Sequence, residues 1–189
     1  MVVVTRSEDS VTFGLDMGSA PVPTRRYAAD ACSIDVRSGD VRFIFAQRGL
    51  TEEEFESALI VRLNPLAARQ FIDSMSEVKQ PTIAELAKKV GESLRPLEPI
   101  ARARQMVSVL ANLASVAVAG FEACIDFYHA SAFAMRAVEV KGKNQLELEP
   151  VVRVELRTGL FLALLAALNG VAAQLPNGIN TEEASNGTA

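Results

Sequence analysis

Apolar and polar positions alternate through the first third of the chain. Val11, Phe13, Leu15 and Met17 are spaced by Thr12, Gly14, Asp16 and Gly18, a period of two that predicts a half-buried strand. Pro21-Val-Pro23 breaks the pattern. Cys32, Ile34 and Val36 resume it against Ser33, Asp35 and Arg37. Ser38-Gly39-Asp40 predicts a hairpin turn, and Val41, Phe43 and Phe45 carry the alternation back on its far side. An acidic connection, Thr51-Glu-Glu-Glu54, leads into the apolar strand Ala58–Leu63. Short strands on short turns favour antiparallel pairing.

The period then lengthens. Asn64 suits a helix N-cap and Pro65 the first helical position, where a missing N–H costs nothing. Ala68, Phe71, Ile72 and Met75 give that helix one apolar face. Thr82-Ile-Ala-Glu85 has the form of a capping box and predicts a second, short helix to about residue 90. From Ile100 to Tyr128 the reading is a long helix. Arg104, Ser108, Asn112, Ser115, Glu122, Asp126 and His129 fall on one stripe, opposite Val109, Leu110, Leu113, Val116, Phe121 and Cys124. Gln105–Phe121 carries no charge, but the run is shorter than the ~20 residues a bilayer needs, so no membrane span is expected. Strands are expected again over Phe133–Val140 and Leu146–Leu156, with Pro150 marking a bulge or a sheet edge. Thr158 is the expected N-cap of a last helix from Gly159 to about Leu175. Its segment Leu160–Leu168 is apolar on every side.

Two segments share one plan. Ala58-Leu-Ile-Val-Arg-Leu-Asn-Pro-Leu-Ala and Val151-Val-Arg-Val-Glu-Leu-Arg-Thr-Gly-Leu each run from a strand into a helix and follow a hairpin-like pair. Either the chain is duplicated or any strand–helix unit reads this way. The expected architecture is an α+β fold in one domain over residues 1–175, with an antiparallel sheet and helices packed on one face. The two related strand–helix halves would be 1–95 and 96–175, and residues 176–189 are expected to form a flexible polar tail.

Tyr27-Ala-Ala-Asp, Val41-Arg-Phe-Ile-Phe-Ala-Gln47 and Ala58–Phe71 carry a resemblance to a family of short, uncharacterised bacterial proteins, spanning residues 27–78. In that family an extended pair precedes a strand that ends in a polar-Pro helix start; the resemblance implies no activity. The order of strands followed by a long helix also resembles the SecB-like export chaperones, although this chain returns to strands afterwards. That likeness implies a holdase for unfolded polypeptides.

Composition narrows the function classes. The 189 residues are 49% hydrophobic and 22% charged, ordinary for a globular chain, with a net charge of −4. An acidic chain without a basic face is not expected to bind nucleic acid. The two cysteines, Cys32 and Cys124, form no CxxC, and the start lacks the features of a signal peptide, so a cytoplasmic location is expected. GxSxG, HExxH and Walker-type glycine loops are missing from the sequence, so no enzyme and no cofactor is expected. Glu122, Asp126 and His129 have metal-ligand spacing on a helix, and Asp126-x-x-His129 is similar to the Glu-x-x-His pair of di-iron bundles. One His and one carboxylate helix fall short of a full ligand set, and the plainer reading is a solvated stripe. A small-molecule site in the sheet-to-helix cleft is a further alternative. An all-apolar final helix needs cover on every side. The expected function is therefore a non-catalytic, homo-oligomeric protein-binding module, with Leu160, Phe161, Leu164, Leu165 and Leu168 as the protein contact and Leu113, Val116 and Phe121 behind them. The other partners expected are unfolded or partner polypeptides.

Overall fold

The computed structural model describes residues 2–6, 11–15, 20–37, 40–50, 54–77, 85, 88, 91, 97–134, 145–146 and 148–175. Its strands are β1 (Val2–Arg6), β2 (Val11–Leu15), β3 (Arg26–Ala29), β4 (Ala31–Arg37), β5 (Asp40–Arg48) and β6 (Phe55–Leu63), then β7 (Gln105–Ala111), β8 (Leu113–Ala119), β9 (Glu122–His129), β10 (Gln145–Leu146) and β11 (Glu149–Arg157). Among the described residues two helices have full ranges, α1 (Pro65–Glu77) and α2 (Thr158–Val171), the latter followed by a 3-10 turn at Ala172–Gln174. The fold is α+β. A small three-stranded sheet has the order β10-β1-β2.

Two four-stranded sheets make the body. The first has the order β4-β5-β6-β7 and the second β3-β11-β9-β8. Both are mixed rather than purely antiparallel, because β7 joins β6 in parallel and β3 joins β11 in parallel. Each hairpin and its following strand–helix unit repeats the other's plan: β4-β5-β6-α1, then β8-β9-β11-α2. The strand before each hairpin joins the opposite sheet. A single residue makes each crossing, Asp30 between β3 and β4 and Asn112 between β7 and β8. A bend of this kind lets one strand serve two packed sheets.

Register follows the same repeat. Ala111 faces Leu63 in the first sheet, and Ala29 faces Leu156 in the second. Ser33, Ile44, Ile60 and Ser108 form one cross-strand row; Ser115, Asp126, Arg153 and Arg26 form its counterpart. The crossing residues act alike too. Asp30 N donates to Ala46 O at 2.9 Å, and Asn112 N donates to Tyr128 O at 3.0 Å. Asn112 also clamps Ala130 by both amide atoms, Nδ2 to O at 2.7 Å and Oδ1 from N at 2.8 Å.

The inner faces of the two sheets meet. Phe43, Phe45, Leu59, Val61 and Leu63 from the first join Ile125, Phe127, Val152, Val154 and Leu156 from the second in one buried cluster. The Phe127 ring centroid lies 6.0 Å from those of both Phe43 and Phe45. Each helix packs across to the other sheet's edge, α1 against β8 and α2 against β4. The two helices also touch each other, with Arg69 Nη1 donating to Ala172 O at 3.5 Å. Asn64 caps α1 as expected, its Oδ1 accepting from Ala67 N at 2.8 Å.

Three local expectations change. The Ile100–Tyr128 helix is β7, β8 and β9; the β-branched Val107, Val109, Val116 and Val118 favour strands, and Gly120, at φ 62°, turns β8 into β9 in two residues. Residues 132–134 are helical rather than extended, and 135–140 lie outside the described residues. Thr158 opens α2 instead of capping it: its hydroxyl donates to Gly120 O at 2.8 Å, and Arg157 takes the N-cap position. Pro150 does produce a bulge, on an inner strand, where the β9–β11 register shifts between Pro150 and Val152. The capping box at 82–85 and the tail 176–189 fall outside the described residues, apart from Glu85.

Candidate functional site

The final helix is core. Leu160, Phe161, Leu164, Leu165 and Leu168 are all buried within the chain's own cluster. They are not a free contact surface. An all-apolar helix did need cover, and the chain itself supplies most of it: α2 packs on β11 and β9 of its own sheet, on the edge strand β4 of the other and on α1, which leaves Ala166, Asn169 and Gly170 exposed. Of the three residues placed behind them, Leu113 and Val116 are half-buried and Phe121 is exposed at the β8–β9 turn.

Glu122, Asp126 and His129 share a strand, not a helix face. At about 3.3 Å per residue, Glu122 and Asp126 stand roughly 13 Å apart, and the odd spacing to His129 turns it to the other side. Among the described residues no group of three potential ligands converges. Asp126 is instead bound to Arg153 by two hydrogen bonds of 2.7 Å, from Nε and from Nη2. That pair is largely buried, with side-chain exposures of 8% and 23%. Asp126 holds the guanidinium charged, raising the Arg153 pKa above its ordinary value. The Tyr128 hydroxyl reaches Asp126 at 3.4 Å.

This pair lies beside an open concavity of about 590 Å³ on the outer face of the second sheet. Ala28, Ala117 and Cys124 line it with small side chains, and Arg26, Arg153 and Glu155 add charge. Arg26 is paired with Glu155 at 3.3 Å, as Arg153 is with Asp126. Burial pushes the Cys124 thiol pKa up, only partly offset by Arg153, which makes it a poor nucleophile near neutrality. Cys32 is fully buried, and desolvation pushes its pKa up to about 12.

The exposed chemistry lies elsewhere, on β7. This strand closes one edge of the first sheet. Its sequence Gln105-Met-Val-Ser-Val-Leu-Ala111 has no charge, and Met106, Val107 and Leu110 are 52%, 42% and 53% exposed. Met106 and Leu110 share the outer face with Ser108, because Val109 and Ala111 alternate inward toward the core. A long apolar edge is what natural sheets usually cover or charge. The helical reading of 100–128 hid it by placing Leu110 with Val109, Leu113 and Val116 on one apolar helix side. The signal was the run of β-branched residues between a charged flank and Asn112.

No family model, no curated protein and no solved structure matches the chain. Among the described residues no helix is long and apolar enough to cross a membrane.

Proposed function

We propose that this protein is a non-catalytic protein-binding module that works as a homo-oligomer. The observation that carries this reading is the β7 edge, an uncharged strand with three large apolar side chains in solvent. Unpaired edge N–H and C=O groups bind extended chains by adding a strand, and the apolar side chains add affinity. The ionisable groups that the fold does bring together support the same reading. Asp126 and Arg153 neutralise each other, Cys32 is sealed in the core, and the Cys124 thiol is less acidic than usual. The free cysteines fit a reducing compartment, and we place the protein in the cytoplasm.

A holdase activity is the second reading, favoured by the same edge, since an extended client segment can pair with β7. Native mass spectrometry and a client-aggregation assay test the two together. The expected results are an oligomer without added mass and suppressed aggregation of a denatured client. A strictly monomeric protein that carries a defined small molecule would overturn the proposal.

A further inference from the structure

The β7 sequence is nearly its own mirror image. About Ser108, Val107 answers Val109, Met106 answers Leu110 and Gln105 answers Ala111. In an antiparallel pair related by a two-fold axis, residues equidistant from the axis face each other across the two strands. Placed on Ser108, the axis sets Met106 against Leu110 of a second copy and Val107 against Val109. Each exposed apolar group then meets another apolar group on the same face. Charge agrees with this register. The nearest cation, Arg104, falls opposite the neutral Asn112, and it is held by Glu54 of its own chain at 2.9 Å. No like charges are brought together along the strand. A shift by one residue would put Met106 and Leu110 opposite inward-facing positions and lose the match.

Resting on the oligomeric reading above, we infer that the partner at this edge is a second copy of the chain, paired β7 to β7 in antiparallel register about Ser108. The two first sheets then join into one continuous sheet across the axis. One pair of seven-residue strands buries less than the roughly 1,200 Å² at which standard stable interfaces begin. The dimer is accordingly reversible and lost on dilution.

Cross-linking tests the register. In a Cys124→Ala background, Ser108→Cys places two thiols directly opposite each other and should yield a covalent dimer on mild oxidation. Met106→Cys alone should not, since the two copies of that residue stand about 13 Å apart along the strand at ~3.3 Å per residue. Mixing Met106→Cys protein with Leu110→Cys protein should restore the cross-link. Equal cross-linking by Ser108→Cys and Met106→Cys, or none by Ser108→Cys, would overturn the register. The double variant Met106→Lys/Leu110→Lys brings ammonium groups face to face and should weaken dimerisation at least tenfold. On the unmodified protein, exchange of the Val107 and Val109 amides should slow as concentration rises; concentration-independent exchange counts against the pairing. An oligomer by native mass that fails the Ser108→Cys test removes this interface while leaving self-association intact. A monomer at high concentration removes both.

Discussion

The two sheets contain an internal control for the Asp126–Arg153 pair. In the second sheet these residues face each other in the row Ser115–Asp126–Arg153–Arg26; in the first, Ile44 and Ile60 occupy the same places between Ser33 and Ser108. One backbone arrangement therefore carries an ion pair on one side and two isoleucines on the other. Asp126→Ile alone strands the Arg153 guanidinium, whose side chain is only 23% exposed. Removing one partner of a buried pair costs about 3–5 kcal/mol, and the residual exposure brings the expectation to about 2–3 kcal/mol. Arg153→Ile leaves the Asp126 carboxylate, at 8% exposure, with the Tyr128 hydroxyl at 3.4 Å, and should cost about 3–5 kcal/mol. The double variant Asp126→Ile/Arg153→Ile leaves no orphan charge and copies a pairing that the fold already accommodates. Its stability should lie within about 1 kcal/mol of the parent, or above it. Equilibrium unfolding in urea, with m held in common, measures all four species and the coupling between the sites. A double variant as unstable as the sum of the singles would refute the argument, because the pair would then be contributing something that isoleucine cannot replace.

Three further outcomes follow from the same contacts and burial. Asn112→Ala deletes both amide bonds to the Ala130 main chain, at 2.7 and 2.8 Å, where β7 crosses between sheets, and should cost about 2 kcal/mol by the same unfolding assay. The thiols should separate cleanly: Cys124, half-buried and with its pKa raised, reacts slowly with a maleimide or disulfide reagent in the native protein, while Cys32 reacts only on unfolding. The buried thiol also sets an alkaline limit. Its pKa rises from 9.0 to about 12 on folding, so the stability it contributes is complete below pH 9 and falls as pH climbs from 9 toward 12. The Tyr27 and Tyr128 hydroxyls, also raised by burial, add to the same fall at its upper end. A denaturation midpoint constant from pH 8 to pH 11 would contradict the burial assigned to Cys32.

Where local chemistry dominates, the sequence was sufficient. Alternation over Cys32–Phe45 gives β4 and β5, Asn64-Pro65 starts α1, and Pro150 bulges β11, each governed by neighbours a few residues away. The likeness of the 58–63 and 151–156 segments is also legible, and in the structure Leu63 and Leu156 hold equivalent places opposite Ala111 and Ala29. Residues 105–129 are different. Their small and apolar side chains satisfy a helical stripe and a strand pattern alike, and only pairing partners distant in the chain decide between them: β6 for β7, and β11 for β9. The fate of α2 was likewise a tertiary matter. Its sequence demanded burial on all sides, but whether a second molecule or the chain itself would provide it depended on the crossing of β3 and β7 between the sheets. That crossing turns on single residues, Asp30 and Asn112, whose backbone bonds reach strands many residues away. It encloses the helix and leaves β7 as the exposed apolar edge.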